Sequence, residues 1–123
     1  MLAVLALIVA QDATPALQDA LKAAIHRQTD CIAREVEARV GPQVTTLSAE
    51  ERRDIARATG DACYDNDVAI AKMTRPDPGR SLEDVKVDMV STTLRIADAM
   101  ITVRVKANAR KASGDGPAEA TAQ

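Results

Sequence analysis

Two clusters of helix breakers set the architecture open to this chain. Gly41-Pro42 and the run Arg75-Pro76-Asp77-Pro78-Gly79-Arg80 cannot continue a helix, because proline lacks the amide donor and its ring clashes with the preceding turn. Before, between and after them the apolar residues recur every three or four positions, the period of a helix with one buried face. This pattern predicts three long helices joined by short connections, each of about 25 to 30 residues and therefore about 38 to 45 Å long. Similar lengths and short connections favour an antiparallel, up-down-up bundle in one all-α domain over 14–111.

The helix ends carry their own signals. Thr14 and Pro15 open helix one, and Gly41 at the C′ position with Pro42 behind it closes the helix at about Val40. Its expected inner face is Leu17, Leu21, Ile25, Ile32 and Val36, with Ala20 and Ala24 alongside and Cys31 at the edge. Ser48 and Glu51 form the pattern of a capping box, which starts helix two. Ile55, Ala56, Thr59, Ala62, Cys63, Asn66, Ile70 and Met73 then turn inward, and Asp54, Asp61, Asp65 and Lys72 outward. Ser81 with Asp84 caps helix three, which runs to about Lys111. Asp84, Asp88, Ser91, Arg95, Asp98, Thr102 and Lys106 form its polar stripe; Leu82, Val85, Met89, Val90, Leu94, Ile96, Ile101 and Val103 form its apolar side. Its V-K-V-D-M-V and I-T-V-R-V segments also alternate with period two, so short strands are the competing reading there. From Ala112 onward the small, polar, breaker-rich residues predict a disordered tail over 112–123.

Phe and Trp are absent and Tyr64 is the sole aromatic, so the core lacks the side chains that bury the largest areas. Long helices, a cross-link or a partner subunit, including a second copy of the chain as a homodimer, must compensate. A cross-link is available. The chain holds two cysteines, Cys31 and Cys63, and in a helical hairpin turning near 41–48 a modest stagger brings them together, predicting a structural disulfide. Residues 1–10, M-L-A-V-L-A-L-I-V-A, are uncharged, too short to span a bilayer and of the right length for a signal-peptide h-region. We read 1–13 as an export signal with its basic n-region cut short, cleaved after Ala10 or Ala13. Export and an even cysteine count agree on an oxidising compartment, periplasmic or secreted.

Catalytic and metal chemistry find little support. Asp61, Asp65 and Asp67 beside Tyr64 supply carboxylates, but Val68, Ala69 and Ile70 follow where a calcium loop needs oxygen donors and a late glutamate. A solvated acidic face on helix two is the simpler account. His26 has Asp30 one turn on, the spacing of an exposed pair rather than of an assembled catalytic site. Met73, Met89 and Met100 fill core space before they suggest copper. No cofactor or metal ligand set is therefore expected. With 16 basic and 18 acidic residues and no basic block, nucleic acid is not an expected partner.

Leu47 to Ile55, L-S-A-E-E-R-R-D-I, resembles the L-T-x-x-Q element of periplasmic helical chaperones of the Spy and CpxP type, with Glu51 where their glutamine stands. The resemblance implies an envelope-stress chaperone or inhibitor with an exposed apolar cradle or dimer groove. The residues themselves point first to a small exported bacterial helical protein, not an enzyme, with a binding or structural role and a protein partner. A secreted all-α enzyme using Arg34, Glu35 and Arg39 between helices is the third expectation.

Overall fold

The computed structural model describes residues 15–74 and 78–114. The expected export segment, residues 75–77 of the second breaker run and residues 115–123 of the expected tail lie outside the described residues. The described chain is all-helical, without strands, which settles the period-two ambiguity of the last segment in favour of a helix. It forms four helices rather than three: α1 (Pro15–Arg39), α2 (Ala49–Ala62), α3 (Tyr64–Met73) and α4 (Leu82–Ala112).

The extra helix arises because the expected second helix is interrupted at one residue, Cys63. Its φ of −104° and ψ of 10° leave the helical region, and the Asn66 amide donates back to the Cys63 carbonyl, one residue closer than an α-helical bond. The Cys63 amide still donates to the Thr59 carbonyl, so α3 follows α2 with one residue between. Register pairs define the topology. Cys31 joins Cys63 while Gln28 meets Asp67, so α1 runs antiparallel to α2 and α3. Asp67 meets Thr93 while Arg52 meets Thr102, so α4 runs antiparallel to α2 and α3 as well. Consequently α1 and α4 are parallel neighbours, and the bundle is up-down-up with its middle limb broken.

Both predicted capping boxes form. Ser48 and Ser81 accept from the amides of Glu51 and Asp84, whose carboxylates in turn accept from the serine amides. The Ser48 backbone amide, with its hydroxyl, holds the Glu51 carboxyl below its usual range. α1 ends differently from expectation. Gly41 does not adopt a positive φ, so no left-handed glycine cap forms. The carbonyls at this end are met from α4 instead: Arg104 Nε donates to Val40 O, and Asn108 Nδ2 donates to both Gly41 O and Val44 O at 2.9 Å. Asn108 is 6% exposed, so few waters can take its place. Asn108→Ala should therefore lower stability by about 1–3 kcal/mol, the range for orphaned buried polar groups, read as a fall in the urea midpoint. An unchanged midpoint would mean that water satisfies those carbonyls.

The core gathers Ile32, Val36, Val40, Ala56, Cys63, Ala97 and Ile101, with Val44, Leu47, Ile55, Leu94, Met100 and Val105 packed against it. α2 comes close to α4 at Gly60, where a Cβ would lie 3.1 Å from Leu94 Cδ2. The inner faces read from spacing are only partly covered. Ile25, Leu82, Ile96, Val103 and Ala62 are exposed, because they lie outside the faces along which the described helices touch one another.

Candidate functional site

The middle of the bundle is cross-linked and polar at once. The Cys31–Cys63 disulfide bridges α1 to the α2–α3 break with a Cα separation of 6.0 Å, normal for such a bond, and Cys63 is buried. One turn away, three polar side chains from three helices meet. Gln28 lies three residues before Cys31, Asp67 four after Cys63, and Thr93 on α4 faces both. Gln28 Nε2 donates to Asp67 Oδ1 at 2.5 Å and to Thr93 Oγ1 at 3.0 Å. The Thr93 hydroxyl donates to the same Asp67 Oδ1 at 2.6 Å. Asp67 is 0% exposed, and its second oxygen, Oδ2, and Gln28 Oε1 have no hydrogen-bond partner among the described residues.

Burial pushes the Asp67 carboxyl above the usual carboxylate range, and the hydrogen bonds from Thr93 and Gln28 offset part of that. No charged side chain contributes to the shift. The physical cause is desolvation: an ionised carboxylate loses its water and gains two donors on one oxygen, leaving the other bare. The arrangement therefore holds a proton in the core more readily than a water-exposed aspartate does.

This overturns the placement of Asp67 on a solvated acidic face. Asp61 and Asp65 are exposed as expected, and Tyr64 is 42% exposed. The aspartates thus point to different environments and form no common site. Asn66, expected inside, is half-buried. Asp67 was legible from spacing, since it stands four residues after the inward Cys63 and three before the inward Ile70; its charge argued the other way. Gln28 had a similar signal, between Ala24 and Ile32 at four-residue steps.

The remaining sequence candidates are dispersed. His26 and Asp30 are exposed on α1. Arg39 pairs with Glu35 within α1 at 2.9 Å instead of reaching between helices, and Arg34 is exposed. Met73, Met89 and Met100 are half-buried on separate helices or turns. Among the described residues no three His, Cys, Asp or Glu side chains gather as a metal-binding group, and no helix is long and apolar enough to cross a membrane.

The surface offers a groove of about 450 Å³ between α1 and α4. Ala33 and Val36 on one side, and Ala99, Met100, Val103 and Ala107 on the other, make it apolar, with Glu37, Arg104 and Lys111 on its rim. It follows from the parallel α1–α4 pair, whose outer side faces no third helix among the described residues. A second groove of about 400 Å³, between α2 and α4, is bordered by Arg53, Arg57 and Arg95. Compared with protein-family models, curated proteins and solved structures, the chain finds no match in any of the three.

Proposed function

We propose that this chain is an exported, non-enzymatic helical protein of a bacterial envelope, periplasmic or secreted, that acts by binding a protein partner. The observation that carries the reading is the buried disulfide between Cys31 and Cys63, with no free cysteine among the described residues. Such bonds persist in oxidising compartments and are most useful to small domains with modest cores. The apolar N-terminal stretch of the sequence supports the same compartment. The α1–α4 groove supports binding, since contiguous exposed apolar surface on a small protein marks an interaction site. The chaperone reading draws on that groove too, as a cradle for unfolded clients.

Cell fractionation tests the compartment. Envelope-derived protein, denatured without reductant, should show no free thiol and should begin at Gln11 or Thr14 by mass spectrometry. Two free thiols with Met1 retained would sink the reading. Suppression of thermal aggregation of an unrelated client at equal amounts would favour the chaperone over a dedicated binding protein.

A further inference from the structure

The exposed side of α4 carries one continuous stripe. Asp88, Thr92, Ile96, Ala99, Val103, Ala107 and Arg110 follow one another at steps of four, four, three, four, four and three. That is a repeat of ~3.67 residues, close enough to the helical period to stay on one face over the length of the helix. Its middle is apolar and open to solvent. Val103 is 64% and Ile96 38% exposed, and between them lies Ala99, small enough to admit another helix. Ala99, Val103 and Ala107 of the stripe also line the groove shared with α1. At the ends the stripe carries opposite charges, Asp88 near the start of α4 and Arg110 near its end.

We propose that this stripe is a self-complementary interface on which a second copy of the chain packs, α4 against α4 and antiparallel, about a twofold axis near Ala99. It rests on the binding role proposed above but not on export. An antiparallel pairing centred there sets Asp88 opposite Arg110 and, within a residue, Ile96 opposite Val103. Each contact occurs twice by symmetry, as an isologous interface requires. A parallel pairing would instead stack like charges at both ends. Asp88 already binds Arg80 of its own chain but keeps a 60% exposed side chain, so it can accept a second cation. Exposed Ala33 of α1, which lines the groove beside Ala99 and Val103, adds apolar surface at the flank of the contact. The interface also adds to a core of small side chains: among the buried apolar residues described, only Ile32, Val36, Val40, Ile70, Val85 and Ile101 are larger than Cys or Ala.

Sedimentation equilibrium of the oxidised protein tests this from micromolar to millimolar concentration. A dimer is expected, and Val103→Glu should shift it to monomer while leaving helical content and the urea midpoint of the monomer unchanged, since Val103 is mostly in water. Asp88→Arg and Arg110→Asp should each weaken dimerisation about tenfold or more, and the double variant should recover it. A monomer at every concentration overturns the proposal. So does a dimer indifferent to Val103→Glu, and so does a charge swap without recovery, which would rule out the antiparallel register. None of these outcomes bears on the thiol count or the mature N-terminus, so the two proposals fail separately.

Discussion

Removing the Cys31–Cys63 bond, by reduction or by the double replacement Cys31→Ala, Cys63→Ala, is expected to lower the unfolding free energy by on the order of 3.5 kcal/mol. The figure follows from the chain separation of 32 residues, whose closure restricts the unfolded chain. It is a large part of the net 5–15 kcal/mol typical of a domain. The replacements add a smaller loss, because Cys63 is buried in the core and alanine leaves its sulfur site empty. Urea unfolding of the oxidised protein, the reduced protein and the double variant separates the two contributions. Reduction should lower the midpoint and raise the m-value, since an unlinked chain exposes more surface on unfolding. Coincident curves in both states would show that the cross-link contributes nothing to stability.

The second large effect concerns Asp67. Because its carboxyl titrates higher in the fold than in the unfolded chain, the native state holds the extra proton and the sign is fixed by linkage. Its stabilising contribution is full below the unfolded carboxylate value. That contribution is lost as pH rises through the raised folded value, so this residue makes the protein less stable towards neutral pH. Asp67→Asn removes the charge, keeps an oxygen to accept from Gln28 and Thr93, and offers an amide donor in place of the bare Oδ2. It should raise stability at pH 7 by about 1–2 kcal/mol, in line with the cost of an uncompensated buried polar group, and flatten the pH profile. Thr93→Val should do the reverse, since it removes a donor from the buried carboxylate. Urea midpoints between pH 4 and 8 decide the matter: an Asn variant with the wild-type slope and lower stability would mean that Asp67 is ionised and well served as it stands.

The all-helical class and the starts of α2 and α4 were within reach of the sequence, because local rules govern them. The Ser48–Glu51 and Ser81–Asp84 boxes involve residues three apart, so neighbours in the chain decide them, and the cysteine pair needs only a rough stagger to meet. What escaped was decided between helices. The break at Cys63 lies at the residue joined to α1. The end of α1 is made by Arg104 and Asn108, more than sixty positions away, so a glycine rule at Gly41 misjudged it. Asp67 went to the core because Gln28 and Thr93 wait there with donors, and spacing alone pointed inward while charge pointed outward. Ile96 and Val103 show the converse limit, since periodicity identifies an apolar stripe without saying whether the chain itself has anything to cover it.

The way α1 ends also fixes an order of events. Its final carbonyls and that of Val44 find their donors in the closing turns of α4, so the first hairpin cannot be completed when its own residues have been made. A chain emerging from its N-terminus can form the α1–α2 connection only loosely, and the joint tightens when Asn108 arrives. Folding is therefore expected to be cooperative across nearly the whole described length, and a nascent chain that stops short of Asn108 leaves the carbonyls of Gly41 and Val44, more than sixty positions earlier, without that donor.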